Sequence, residues 1–514
     1  MEGATLTQPL EGPHQPIRQA AIWRAPWPAI ALGALAVAAL VGFLAFPTYP
    51  TYDSFYALLW GRNVLHLHLP DLHVYRGPTE HPLAIGFGAV VSLFGQGGAR
   101  LVVLGSIASF VALVAGVYRV ARLCFGPVVG VIAGLLMLTR FFDGNLAAQG
   151  YLDLSYVALI VWALALELAR PRRGAAVLVL LAAAGLLRPD AWVLSGAYWL
   201  WCDWPRRGEG EGAGAEAARR RLAHLALAAL APVLWMTFDA IVTGDPLHSL
   251  HATAELAQEL ERTQGLSAVV GSVWSFGVRI DHLPVVIGVL IGIPLAVWLA
   301  PRRTVKLLAA LALLVGVFLA EGAVGASVVS RYLMGAAAVA LPFCALTLGG
   351  WALLERSPVR TVWMAGALAL VVYGALETTS SFNLTSLRNQ IAYREDFHRG
   401  LAQALASPGV RSTLHRCPLL SLPNNKLIPD ARWILGGFGQ HNIVARSEAR
   451  SLAERGDPRL QQRILARSVA VYPLGAAVFY EAIVDVGDDP LDQVPIAGFR
   501  RIYTSQFYAV YARC

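Results

Sequence analysis

Charge is what this chain has least of. Of its 514 residues only 14% are Asp, Glu, Lys or Arg, against about a quarter in soluble domains. That scarcity excludes an ordinary soluble globule. It also removes the usual meaning of a net charge of +8, and no nucleic-acid partner is expected. In a membrane chain Arg and Lys collect in the cytoplasmic loops. Cysteine is scarce too, with 5 residues, and none has the paired spacing of a zinc site. No internal repeat is visible, so the inverted-repeat logic of secondary transporters finds no support. Lysine is rare beside arginine, a bias that fits a GC-rich bacterium.

What fills the chain instead is apolar. Hydrophobic residues make up 56%, mean hydropathy is +0.55, and runs long enough to cross a bilayer recur along most of the length. This is a polytopic α-helical membrane protein. The first run, about 26–46, follows Arg18 and Arg24. It is too long for the apolar core of a signal peptide and reads as an uncleaved span, which makes 1–25 a cytoplasmic N-terminal segment.

Basic stretches at 118–126, 169–174, 204–221, 301–306 and 355–360 are expected inside. The turns between them, at about 47–99, 140–153, 188–191, 243–282 and 321–331, are then outside. The spans number about 11 by matching apolar runs to bilayer thickness. The run at 82–95, "PLAIGFGAVVSLFG", is short for a span. Crossing there would also place the arginines of "YRVARLCFG" outside, so it stays in the large first outer loop, 47–99. The membrane module covers 26–377.

From about 378 the apolar runs shorten and polar residues rise. Residues 393–406 have helical periodicity. "ARWILGGF", "RSVAVYPL" and "AAVFYEAIVDV" read as short strands between Gly, Pro and Asp. Residues 378–514 are therefore expected to form an extracytoplasmic α/β domain. Cys417 and Cys514 both fall in it, and in an oxidising compartment they are expected to form a disulfide. Cys124, Cys202 and Cys344 read as apolar filler.

Ionisable groups at membrane depth are expensive and mark function. The outer turns and helix ends hold Asp53, Glu80, His81, Asp143, Asp153, Arg188, Asp190, Asp245, His248, Glu321 and Arg331, all expected around one outer vestibule. Carboxylates with a few arginines suit chemistry on an anionic substrate. Blander readings stand beside this one. Asp53 precedes an apolar helix and is a candidate N-cap. Arg188 and Arg331 have stems long enough to snorkel. "HLHLPDLHVYRGPTEH" carries four His, yet in a loop that pattern is unspecific for a metal. "NLT" at 383–385 is a glycosylation sequon only in a host that uses it.

The order of motifs is more specific than any one of them. A span runs into "TYDSFYALLWGRNVLHLHLPDL"; "TEHPLAIGFGAVVSLFG" and "VYRVARLCFG" follow. Then come "AQGYLDLSYVALIVWALAL", "LLRPDAW" and "SRYLMGAAAVALPFCAL". Over about 26–350 this resembles the GT-C fold glycosyltransferases, among them protein O-mannosyltransferases, aminoarabinose transferases and actinobacterial arabinofuranosyltransferases. The resemblance implies an inverting hexosyl- or pentosyltransferase in the plasma (inner) membrane, contributing to the cell envelope. Its donor would be a polyprenyl-phosphate sugar and its acceptor an envelope glycan, lipid or protein. It implies Asp53 as general base, and a second acid at Asp153, with Asp143 the alternate. Arg188, Arg331 and Tyr332 would bind the donor phosphate, with Glu80, His81, Asp190, Asp245 and His248 in the acceptor vestibule. The acidic pair usual in such enzymes is missing, because Ser54 follows Asp53. No cofactor is required, and a divalent cation stays open. A lipid or sugar transporter, or a scaffold with a partner-binding outer domain, are the rival readings.

Overall fold

The computed structural model describes residues 27–204, 214–260, 262, 265–325, 327–381, 383–436, 442–475 and 498–514. The N-terminal segment 1–25 and the expected strand "AAVFYEAIVDV" lie outside the described residues.

Helices fill the first three-quarters of the chain. They are α1 (Trp27–Ala45), α2 (Tyr52–Leu65), α3 (Pro82–Ser92), α4 (Gly98–Phe125), α5 (Pro127–Thr139), α6 (Phe141–Ala148) and α7 (Asp153–Ala169). Next are α8 (Ala175–Gly185), α9 (Asp190–Asp203), α10 (Ala215–Thr243), α11 (His248–Glu259), α12 (Leu266–Leu299), α13 (Pro301–Ala323), α14 (Met334–Gly349) and α15 (Pro358–Ser381). Among the described residues, 7 helices are long and apolar enough to cross a membrane, or 8 if α5 and α6, bent by 58° at their junction, make one span. The expected eleven is reached only by adding α7, α8 and α9. At 17, 11 and 14 residues these fall short of the roughly 20 a helix needs to span the hydrocarbon.

Small residues let the helices approach. α14 is buried along nearly its whole length, and Gly335 with Ala336, Ala337, Ala338 and Ala340 gives it a slim profile. Gly288 and Gly292 of α12 pack against it. A Cβ at Gly292 would overlap the Phe343 carbonyl, and the Thr347 hydroxyl donates to the Gly288 carbonyl at 2.6 Å. This is the close glycine-mediated packing of membrane helices. α1, which buries only Phe43, and the largely exposed α15 lie at the periphery, where their apolar faces suit lipid.

Two helices depart from a plain span. α12 kinks at His282 (φ 63°), two residues before Pro284, whose ring cannot continue the hydrogen-bond ladder. α3 is only 11 residues long and packs on α2 rather than spanning. Gly61 and Gly88 face the partner helix so closely that a Cβ on either would strike backbone.

The remainder forms α16 (Leu384–Ala406), α17 (Pro408–Arg416), β1 (Leu420–Leu422), α18 (Ile428–Leu435), β2 (Ile443–Ala445), α19 (Arg446–Glu454), α20 (Arg459–Ala466), β3 (Ser468–Pro473), β4 (Arg500–Thr504) and β5 (Tyr508–Arg513). Among the described residues, 5 strands make one sheet of order β2-β1-β3-β5-β4. β1 runs parallel to β2 and β3, and β5 antiparallel to β3 and β4. The helix over 393–406 and the strand in "RSVAVYPL" are present. "ARWILGGF" is a correction: 431–435 belong to α18, a helix. Pro429 in its first turn is pre-set for a helix start, and Gly436 at φ 62° ends it. Buried almost throughout, the segment shows no clean period to read. Cys417 and Cys514 are joined by a disulfide, with Cα atoms 5.8 Å apart.

Specific contacts fasten this sheet domain to the helices. Asp430 accepts from the Tyr49 hydroxyl at 2.7 Å and contacts His398 Nδ1 at 2.7 Å. Arg394 donates to Gln149 at 2.6 Å. Trp433 packs into the cluster around Phe55, Leu59 and Trp60, with the Arg62 guanidinium 4.8 Å from its ring centre.

Candidate active site

The five segments expected on one side of the membrane all reach the same cavity. Its volume is about 920 Å³, and its walls come from 51–54, 76–81, 151–153, 187–193, 249–262 and 312–332, with 424–426 from the sheet domain. The expected inner loops meet elsewhere. Arg303, at the start of α13, reaches the Cys124 carbonyl at the end of α4. Lys306 lies 3.7 Å from Glu167 at the end of α7.

Helix ends place the acids in the cavity. Asp53, Asp153 and Asp190 each sit in the first turn of their helices, α2, α7 and α9, where the positive end of the helix dipole favours a carboxylate. Asp53 is not the cap. That role belongs to Thr51, whose hydroxyl accepts from the Ser54 N–H. The capping explanation of Asp53 is therefore removed, and its carboxylate is left for the cavity.

Two arginines knit the acids together. Arg331, in the turn before α14, puts Nη1 3.3 Å from Asp53 Oδ2 and 3.7 Å from Asp153 Oδ2. Arg188, between α8 and α9, reaches Asp153 at 3.0 Å, Asp190 at 3.1 Å and Glu321 at 4.0 Å. The Tyr332 ring lies under both, 4.0 Å from the Arg188 guanidinium and 5.7 Å from that of Arg331. The Tyr156 hydroxyl donates to Asp190 at 2.7 Å. The acidic pair absent from the sequence is thus assembled in space: Asp53 and Asp153 flank one guanidinium. Ser54, at the position a second adjacent acid would take, donates instead to the Gly150 carbonyl at 2.7 Å. Arg331 thus brings one positive charge to both carboxylates.

Other expected residues lie elsewhere. Asp143 is buried away from the cavity, with Arg140 Nε at 2.8 Å, and the same nitrogen is 3.0 Å from Asp281 at the α12 kink. Asp245 is partly exposed, accepts from the Leu247 N–H and pairs with His251 at 2.7 Å. His248 packs edge-on to His73. Glu80 is buried behind the wall. Desolvation, then the neighbouring Asp239 carboxyl, pushes its pKa up to about 8. Asp239 in turn accepts from the Ser249 hydroxyl, and Ser249 lines the cavity. His81 does line it, and burial pulls its pKa down to about 4, which leaves a neutral imidazole facing the arginines.

Sequence reasoning missed the wall built by the sheet domain. Asn424, Asn425 and Lys426 line the cavity, and Asn424 caps its own short turn by accepting from the Lys426 N–H at 3.0 Å. "PNNK" carries a turn signal, and a lysine is rare in this chain, yet neither feature announces a partner hundreds of residues away. The hydroxyls of Thr79 and Thr253, 2.8 Å apart on the same wall, gave no signal.

No family model matches the sequence, and no curated protein does. Solved structures do match. The chain is similar to ArnT of Cupriavidus metallidurans bound to undecaprenyl phosphate, at 13% identity and TM-score 0.55, over 95% of this chain and 98% of that one. It is also similar to the oligosaccharyltransferase AglB of Archaeoglobus fulgidus in complex with an inhibitory peptide and a dolichol-phosphate, at 12% identity and TM-score 0.51, over 95% and 74%. The Archaeoglobus enzyme in complex with Zn and sulfate aligns at 14% and 0.52, over 94% and 72%. Both are GT-C fold membrane glycosyltransferases, and the fold of this chain is GT-C.

Proposed function

We propose that this chain is a membrane glycosyltransferase that moves a sugar from a polyprenyl-phosphate donor to a cell-envelope acceptor, with inversion at the anomeric carbon. The observation that carries the reading is the Asp53–Arg331–Asp153 cluster in a large cavity at one end of a GT-C helical module. The solved relatives support the donor class, since two of them carry a lipid phosphate. On this reading the protein lies in the plasma (inner) membrane, with 1–25 cytoplasmic, 26–377 as the membrane module, and the cavity and the 378–514 domain outside.

The chemistry divides among the residues. The acceptor hydroxyl oxygen attacks the sugar carbon, the bond from that carbon to the phosphate oxygen breaks, and Asp53 takes the hydroxyl proton. The lipid phosphate leaves as an anion and needs a countercharge rather than a proton. Arg331 is better placed for this than Arg188, because it is the more exposed of the two and a guanidinium fork matches phosphate. Arg188, held by three carboxylates, positions Asp153. When the donor phosphate draws Arg331 away, Asp53 is released to act as base. Asn424, Asn425 and Lys426 form the acceptor side, which gives the sheet domain a role in acceptor binding.

The test is a transfer assay on purified protein, with short-chain polyprenyl-phosphate sugars as donors, membrane extract as acceptor, and Asp53→Asn alongside. Donor consumption that disappears in a folded Asp53→Asn protein is expected. No consumption of any donor, or unchanged consumption by the variant, removes the assignment.

A further inference from the structure

Far from the cavity, three side chains of metal-ligating type meet where α9 ends and α10 packs beside it. Cys202 and Asp203 close α9, and His224 lies in α10. The Cys202 Sγ, a carboxylate oxygen of Asp203 and a ring nitrogen of His224 all lie within 4.8 Å of one another. His224 Nδ1 is 3.1 Å from one Asp203 oxygen and 3.2 Å from the other. Both side chains are nearly enclosed, at 9% and 7% exposure, whereas Cys202 is half-buried. The back of the imidazole packs against Gly174 (φ 69°), where a Cβ would press on the ring. The ring is therefore held with Nδ1 toward the acid.

We propose that Cys202, Asp203 and His224 bind a borderline divalent cation of the Zn²⁺ class, with solvent in the fourth position. Bond lengths of about 2.0–2.3 Å around a tetrahedral ion set neighbouring ligand atoms roughly 3.3–3.7 Å apart. The His–Asp pair already sits close to that separation, and the thiol needs only a small adjustment to join it. A mixed S, N and O donor set suits Zn²⁺ rather than Mg²⁺ or Ca²⁺, which prefer oxygen alone. A plain His–Asp hydrogen bond uses two of the three residues and makes no use of the half-buried sulfur beside them. Binding replaces the thiol proton, which passes to solvent. The bound ion clips the end of α9 to α10. The ligands are an adjacent pair and a histidine 21 positions from Asp203, so no zinc-motif spacing betrays them.

The test uses the full-length, tag-free protein in detergent, stripped of metal and titrated with Co²⁺. The expected result is a thiolate-to-cobalt charge-transfer band that saturates near one equivalent. Zn²⁺ should displace it, and both Cys202→Ser and His224→Gln should lack it. Wild-type protein without the band overturns the proposal, as does a band that survives Cys202→Ser. If the variants fail to fold, wild-type protein decides through alkylation: Zn²⁺ should slow Cys202 modification, measured by peptide mass spectrometry, and an unchanged rate overturns the site.

Discussion

Arg331 and Asp53 stand 278 positions apart in the chain, and their side chains meet at 3.3 Å. The contact joins the turn before α14 to the first turn of α2, and it brings Asp153 under the same guanidinium. The proposed division of labour predicts different kinetic lesions at its two ends. Asp53→Asn should lower kcat by about 10²–10⁴-fold, the range general-base catalysis contributes, with little change in donor KM. Arg331→Gln should raise donor KM and also slow the chemical step, since the departing phosphate loses its countercharge. Steady-state kinetics with a soluble-chain donor separates the two. An Arg331→Gln enzyme with unaltered donor kinetics would remove the arginine from the phosphate site.

Arg188 should behave otherwise. It is nine-tenths enclosed and meets Asp153, Asp190 and Glu321. Removing one partner of a buried ion network leaves uncompensated charge and costs about 3–5 kcal/mol. Arg188→Gln is therefore expected to lose thermal stability and folded yield, where Arg331→Gln keeps both. Detergent thermal-shift curves for the two variants check this, and matching stability would contradict it.

The wall made by Asn425 and Lys426 predicts an acceptor effect without a donor effect. Lys426→Ala should weaken acceptor use several-fold while slow donor hydrolysis in the absence of acceptor continues at the wild-type rate. Equal losses in both reactions would instead make Lys426 part of the donor site.

Glu80 carries a pH prediction. Burial and the nearby Asp239 carboxyl push its pKa from the ordinary carboxyl value of 4.5 up to about 8, so the folded state holds a proton that the unfolded chain has already released. The stability this contributes is present below the ordinary carboxylate range and is lost as pH rises through about 8. Wild-type protein should melt at progressively lower temperature across that window, and Glu80→Gln should show a flatter profile. Parallel pH profiles for the two proteins would place the shifted carboxyl elsewhere.

Much of the helical module was legible because lipid imposes a simple rule. Backbone groups in hydrocarbon must bond within their own helix, so long apolar runs become helices whatever surrounds them. Basic loops and turn positions followed from charge, and the turns expected on one side do share one cavity. The span count was less legible, because α7, α8 and α9 are too short to decide by length. α18 resembles a strand in sequence because a segment buried on all sides loses its period. Asp143 is the alternate second acid by resemblance, and in the fold the α12 kink gives it Asp281 and Arg140 as neighbours.

By itself, the sequence determined a membrane protein with apolar helices, a polar C-terminal sheet domain and acids gathered at helix starts. These are properties of composition and local periodicity, which each segment carries alone. The tertiary structure decided which acids meet which arginines. It supplied Asp153 as the partner that Ser54 denies to Asp53, and it brought Asn424, Asn425 and Lys426 over the cavity. Such choices depend on how the helices pack, through glycines as at Gly292 and kinks as at His282. A contact between residues hundreds of positions apart leaves no periodic trace in either of them.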